Sequence, residues 1–371
     1  MRGVAACLVV VIGLMVVACS SAAPAASTAP TAAAPGPAGG APPAAKPAAS
    51  VPDWVTDPAV YEAAKKEGTV VFYSTLPQAL AEAIGKKFSD ITGIKAEVTR
   101  VGSGATVDRV ERELQGGLKV TDVVEQGMMA AFIDWKKRGI LEPYRPKTAS
   151  NVDTRHLDPD KAFNAFYVNM QFIAYNPKFI TAAEAPKSWK DLYDVKWKGK
   201  MSLAHPKYSS VMVDWVFWQN KLFGPDYLKK LQAVEPMIFK TAVEGLPSLI
   251  SGERPLQGSS YSDSAWEAKL KGQPIEFVYP EEGVTVANDY TGILKAAPHP
   301  NAAKVFVDYL FSTVNGQDLA DQNIYTTIPG VKYKDPDFKP LTQLKTLVSD
   351  PAEESAQVDK LRDDFSDVFG G

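Results

Sequence analysis

Thr69-Val70-Val71-Phe72-Tyr73, closed by Ser74-Thr75, is the stretch on which the fold turns. Five residues rich in β-branched and aromatic side chains, with no polar alternation, describe a strand buried on both faces. The segment before it, Asp57 to Gly68, reads as a helix: Asp57 caps it, Pro58 fills its first turn and Gly68 stops it. The segment after it, Gln78 to Thr92, places Leu80, Ile84 and Phe88 at helical spacing and stops at Gly93. A second strand follows over Ile94 to Val101, then the loop Gly102-Ser103-Gly104. A helix with Val107, Val110 and Leu114 on one face and a third strand over Val120 to Val124 complete the unit. This βαβαβ rhythm specifies an open α/β sheet with right-handed crossovers.

Outward from that unit the pattern continues with a helix over Met128 to Arg138 and an extended apolar stretch over Ala165 to Tyr175. A short helix begins at Trp189 to Leu192, and Met201 to Ala204 is a strand. Helices are expected over Ser209 to Leu222, Thr241 to Ser251, Ser264 to Lys271, Asn301 to Phe311 and Glu354 to Phe369, with a strand over Ile275 to Tyr279. No internal repeat is visible.

The N-terminus sets the compartment. Met1-Arg2 and the apolar run from Val4 to Ala18 read as a secretory signal, too short for a spanning helix. The run ends Val16-Val17-Ala18-Cys19, which resembles a bacterial lipobox. The reading is a signal peptide over 1–18, acylation of Cys19, and an Ala/Pro-rich tether over 19–50 in which Lys46 is the only charge. Cys7 leaves with the signal. The mature domain then has no thiol for a disulfide, a thiolate metal site or a nucleophile. The expected location is periplasmic or extracytoplasmic, lipid-anchored to the membrane.

Folding proper starts near Val51 and leaves about 320 residues, beyond the ~250–300 at which single cores stop growing, so two lobes are expected. The formal charge of −3 and the absence of a basic stripe exclude nucleic acid as a partner. No nucleophile elbow and no metal-binding histidine pair is present. Of the three histidines, His156 lies in a polar loop and His299 in a Pro-His-Pro turn. His205 is the one an exported hydrolase would use.

Several segments together resemble the family 1 extracellular solute-binding proteins, near their iron(III)-type branch. They are Gly68 to Thr75, Phe88 to Ile94, Ala185-Pro186-Lys187-Ser188-Trp189-Lys190-Asp191-Leu192, Lys196 to Lys200, Gly252-Glu253 and Ala297 to Lys304. The resemblance implies a two-lobed type 2 periplasmic-binding-protein fold with hinge strands, a small ligand in the interlobe cleft, and delivery of that ligand to an ABC permease. It also implies hinge closure on binding; a monomer, no cofactor and no enzymatic activity are expected. Expected lobes are 51–166 with 285–350, and 167–284, with a C-terminal helix over 351–371 packing on the first.

In open α/β sheets ligands sit beyond the carboxyl ends of strands. Ser74-Thr75, Gly102-Ser103-Gly104 and Tyr208-Ser209-Ser210 lie at such ends, each combining small or hydroxyl residues with a helix start. Helix starts offer unpaired N–H groups to an anion, though the same residues also serve as plain N-caps. Candidate ligand contacts are Ser74, Thr75, Ser103, Gly104, Tyr167, Ser209, Ser210, Tyr261, Asp289 and Tyr290, with Arg100 available to pair a carboxylate or phosphonate. Iron-binding relatives use paired tyrosines and a histidine after the first strand. Here Tyr261 stands between Ser260 and Ser262, and Tyr73 to Gln78 contains no histidine. Tyr261 and Glu125 are the metal candidates if iron binds. A small organic or phosphorus-containing anion fits the retained features better. Ferric-iron transport, an exported hydrolase, a sensory binding protein and a ligand-free surface lipoprotein are the rivals.

Overall fold

The computed structural model describes residues 50–371; the signal segment, Cys19 and nearly all of the tether lie outside the described residues. Helix α1 (Pro58–Glu67) leads into β1 (Thr69–Ser74), α2 (Gln78–Thr92), β2 (Lys95–Arg100), α3 (Ser103–Gln115), β3 (Val123–Gln126), α4 (Met129–Lys137) and β4 (Leu141–Glu142). The long β5 (Asn164–Tyr175) follows, then β6 (Met201–Ala204), α5 (Ser210–Phe223), α6 (Tyr227–Gln232), β7 (Met237–Phe239), α7 (Ala242–Ser251), β8 (Leu256–Tyr261), α8 (Ser262–Leu270) and β9 (Glu276–Val278). The nearly as long β10 (Val284–Leu294) returns to the first half. There α9 (Pro300–Leu310), α10 (Thr313–Ala320) and β11 (Thr346–Val348) precede the final helices α11 (Pro351–Ser355) and α12 (Val358–Phe369).

The opening unit forms for the reasons its sequence gives. Asp57 Oδ1 accepts from the Ala59 amide at 2.8 Å, and Gly68 ends α1 with φ 76°, a left-handed conformation that glycine adopts without strain. β1 runs parallel to β2 and β3 on either side. β3 begins three residues later than the pattern of Val120 to Val124 suggests. Asp122 is the reason: its carboxylate accepts from the Val71 amide at 2.7 Å and from the His299 amide at 2.7 Å, so the ladder proper starts at Val123. That shift carries the strand on to Glu125 and Gln126.

The sheet order is β2-β1-β3-β10-β5-β8-β6-β7. β5 and β10 pair antiparallel from Thr285 opposite Gln171 to Thr291 opposite Asn164. The far end of β10 pairs with β3, and the far end of β5 pairs with β8. These two strands therefore carry the chain between two α/β halves, each with buried apolar layers on both sheet faces. In the first half, Phe72, Phe88 and Phe306 fill one layer, and Val124, Phe132 and Trp135 the other. In the second, Trp189, Trp215 and Leu231 fill one, and Leu249, Trp266 and Tyr325 the other. The edge-on Phe88–Phe306 pair, centroids 4.9 Å apart, shows the packing quality.

One expectation needs correction. The terminal helix is two helices, and its main part does not return to the first half. α11 packs on α4, whereas α12 packs on α5 and α6. Val358, Leu361, Phe365 and Val368 form its apolar stripe, and Leu361 and Phe365 join the cluster around Trp215. The Gly370 carbonyl accepts from His205 Nε2 at 2.9 Å, which fixes the very end to the same half.

Candidate functional site

The loop after β1 is organised around Glu125, at the end of β3. The carboxylate is fully buried and accepts from Ser74 Oγ at 2.6 Å, the Thr75 amide at 3.0 Å and the Leu76 amide at 3.4 Å. Burial pushes its pKa up, and these hydrogen bonds oppose the shift. The anion-accepting amides predicted for a ligand at Ser74-Thr75 are thus occupied by the chain's own carboxylate. Ser74 is completely buried and Glu125 is a loop anchor. Arg100 is exposed, with Nε donating to the Leu76 carbonyl at 3.2 Å. Ser103 and Gly104 form the first turn of α3, which Gly102 enters in an extended conformation without a side-chain cap.

Across the sheet, α5 and α8 start next to each other. Ser209 precedes α5 and Tyr261 precedes α8, and their hydroxyls hydrogen-bond. Ser209 makes no capping bond to the helix it precedes, so the first-turn amides of α5 keep their donors. Burial pushes the Tyr261 phenol up, which keeps it neutral. Tyr208, half exposed, stands just before this start, with Lys240 Nζ and Lys207 Nζ 5.7 and 5.9 Å from its ring centre. The helix start and two ammonium groups give this corner a positive potential.

Asp289 of β10 and Ser210 of α5 meet at Gly127. A Cβ on Gly127 would lie 2.9 Å from Asp289 Oδ1 and 3.4 Å from Ser210 Oγ. Burial pushes Asp289 well above the carboxylate range, with the charges of Glu125 and Asp263 adding to the shift. The Tyr167 hydroxyl donates to Asp263 Oδ2 at 3.1 Å. Tyr167 is itself pushed up by burial and then by Asp263. Ser209, Ser210 and Tyr261 therefore form one group. Asp289 adjoins it through Gly127, and Tyr167 forms a pair with Asp263.

Tyr290 does not join them. Its ring packs 5.0 Å from Phe163 and 5.9 Å from Phe132 in the core, and its hydroxyl accepts from Asn288 Nδ2 at 3.2 Å. The pairing register shifts between Asp289 and Tyr290, a bulge that re-aims neighbouring side chains. The histidines are all engaged. His156 Nδ1 meets Asn288 Oδ1 at 2.7 Å, and His299 Nδ1 meets Asp122 at 2.9 Å. His205 Nδ1 accepts from the Lys207 amide at 3.1 Å while Nε2 meets Gly370. Among the described residues, no group of three or more His, Cys, Asp or Glu is placed to hold a metal ion.

Sequence reasoning missed Gly127, Asp263, Asp214 and Glu354. The last two share a cavity of about 170 Å³ with Gly127 and Ser210. A signal existed for Asp214: it is a lone acid in the apolar run Val211-Met212-Val213-Asp214-Trp215-Val216.

Comparison with known proteins places this geometry. The chain superposes on the iron-bound HitA of Pseudomonas aeruginosa with TM-score 0.69 and 26% identity, covering 80% of this chain and 99% of that one. It superposes on AfuA of Actinobacillus pleuropneumoniae, solved with exogenous fructose-6-phosphate, with TM-score 0.68 and 25% identity, covering 81% and 98%. Both are two-lobed periplasmic binding proteins. An uncharacterized Haemophilus influenzae protein is 29% identical over 273 residues, 71% of this chain and 78% of the relative. A probable ABC transporter periplasmic-binding protein of Sinorhizobium fredii is 22% identical over 226 residues, 58% of this chain and 62% of the relative. The family model described as bacterial extracellular solute-binding protein matches residues 122–350. The chain therefore belongs to the bacterial extracellular solute-binding proteins, the ligand-capturing components of ABC importers.

Proposed function

We propose that this protein captures a small organic anion, phosphorylated or carboxylated, between its lobes and hands it to the importer's permease. The observation that carries the reading is the uncapped start of α5. Its free amides stand beside the hydroxyls of Ser209, Ser210 and Tyr261, with Lys207 and Lys240 near by. Asp289 and Asp263 supply acceptors for donor groups elsewhere on the ligand. That AfuA carries a sugar phosphate agrees with this class. The lobes in this reading are 51–166 with 285–350, and 167–284. Closure is a rotation about β5 and β10 that the ligand stabilises by touching both halves. Cys19 carries the lipid and the tether holds a monomeric domain off the membrane.

Iron, the ligand of HitA, is disfavoured by the chemistry of the donor set. Glu125 is consumed by the loop after β1, and Tyr261 has serines where a second phenolate would stand. Mass spectrometry of the molecule that co-purifies with the native protein, with metal analysis in parallel, tests the proposal. An organic anion lost in Ser209→Ala and Tyr261→Phe is the expected result. Stoichiometric iron with a visible tyrosinate band would sink it. Incorporation of labelled fatty acid that is abolished by Cys19→Ala tests the anchor.

A further inference from the structure

His205, the histidine an exported hydrolase would use, has a different task in the structure. It follows β6 directly, is 3% exposed, and has both ring nitrogens engaged. The Lys207 amide donates to Nδ1 at 3.1 Å, which places the ring proton on Nε2, and Nε2 donates to the Gly370 carbonyl at 2.9 Å. One imidazole thus joins the loop after β6 to the far end of the chain.

The neighbouring contacts repeat the pattern. The His205 ring meets Phe365 edge-on, with centroids 4.9 Å apart. The Pro206 carbonyl accepts from Arg362 Nε at 3.4 Å, and Lys207 Nζ donates to the Gly371 carbonyl at 3.4 Å. Each of residues 205–207 is therefore held by α12 or by the two glycines after it. That support is firm. α12 is seated on α5 and α6, Phe365 is completely buried, and the Val368 carbonyl accepts from Gln232 Nε2 of α6.

What α12 braces is the start of α5. Residues 205–208 form a tight turn, closed by the Tyr208 amide donating to the His205 carbonyl at 3.1 Å, and Ser209 and Ser210 open the helix immediately after it. Ser209 does not cap α5; its hydroxyl is turned to Tyr261. With no side-chain cap, the aim of the first-turn amides is set by the turn that precedes them. Binding groups need to be held within about 0.5 Å of their productive place by such supporting contacts. We propose that His205 is a positioning residue for ligand capture: through its bond to Gly370 it locks the 205–208 turn onto α12 and so holds the start of α5 in the geometry that receives an anion. This deepens, and rests on, the anion reading of that helix start. His205 itself makes no polar contact to the anion, because neither ring nitrogen is free.

Two replacements separate the two bonds of the ring. In His205→Asn the side-chain oxygen takes the place of Nδ1 and keeps the Lys207 amide, as in an Asx-turn, but nothing reaches Gly370. In His205→Gln the side-chain nitrogen takes the place of Nε2 and keeps the Gly370 carbonyl, while the Lys207 amide loses its acceptor. A third variant, ending the chain at Phe369, removes the carbonyl and leaves the ring. Calorimetry on the full mature domain uses inorganic phosphate and succinate, one for each class of anion. His205→Asn and the shortened chain bind about tenfold more weakly, the equivalent of one hydrogen bond, and His205→Gln stays within about threefold of the unaltered protein. Urea midpoints run beside the titrations; if His205→Asn does not fold, the shortened chain decides. Full affinity in a folded His205→Asn or in the shortened chain overturns the brace, as does a loss in His205→Gln equal to that in His205→Asn, while binding by the unaltered protein leaves the anion reading standing. If neither phosphate nor succinate binds the unaltered protein, the anion reading fails and the brace fails with it.

Discussion

Ser74 and Glu125, on neighbouring strands β1 and β3, are joined by a 2.6 Å hydrogen bond that closes the loop following β1. The same carboxylate takes the amides of Thr75 and Leu76, so it stands where an external anion would otherwise be received. Glu125→Ala leaves a buried hydroxyl and two amides without their acceptor. A loss of about 3 kcal/mol in urea unfolding is expected. Glu125→Gln, which keeps an acceptor oxygen, loses less. Equal stability of the alanine variant and the unaltered protein would contradict the anchoring role.

Gly127→Ala separates ligand geometry from folding. The new methyl meets Asp289 Oδ1 at 2.9 Å and Ser210 Oγ at 3.4 Å, both at the ends of side chains that can turn aside. Unfolding free energy changes by less than about 1 kcal/mol, while affinity for the co-purifying ligand drops sharply. Titration calorimetry beside a melting curve checks both halves. Retained affinity would show that the meeting of Asp289 and Ser210 is not used.

Asp289→Asn gives a pH-dependent gain. The folded protein holds the Asp289 proton more tightly than the unfolded chain does, because burial and the charges of Glu125 and Asp263 oppose ionisation. Below about pH 4 both states are protonated and the substitution is neutral. As pH rises the unfolded chain ionises first, so stability falls until the folded carboxyl also ionises. The asparagine variant escapes this loss and is the more stable protein at about pH 8. Urea midpoints across this range decide it; a constant difference would remove the linkage.

His205→Ala releases the C-terminus. The imidazole holds the Gly370 carbonyl and packs edge-on against Phe365, with centroids 4.9 Å apart. Hydrogen exchange in residues 358–371 should rise strongly while the β1 region keeps its protection. Phe365→Ala, which removes a fully buried ring, costs about 3–5 kcal/mol. Uniform exchange in both proteins would contradict the tether.

The opening βαβαβ unit was legible because each signal there is local: Asp57 and Gly68 bracket a helix, and a short apolar run fills a buried strand. β8 was not, since Leu256-Gln257-Gly258-Ser259-Ser260-Tyr261 has little strand propensity. It is a strand because β5 and β6 flank it on both sides. Ser209 and Ser210 were singled out from strand-end logic and Tyr261 from the family resemblance, and the fold brings Ser209 and Tyr261 into contact. Tyr290 was misplaced because a bulge reverses the alternation that sequence reading assumes. Asp214 and Glu354, which line one cavity, are far apart in the chain, and their meeting was beyond local pattern.

The division of the terminal helix has a practical consequence. Since α12 rides on α5 and α6 while β2 lies at the opposite rim of the sheet, a fluorophore placed after Gly371 and another on Lys95 would sit on different halves of the fold. That pair of positions provides a ready ruler for testing, in single molecules, the proposed opening and shutting of the jaws.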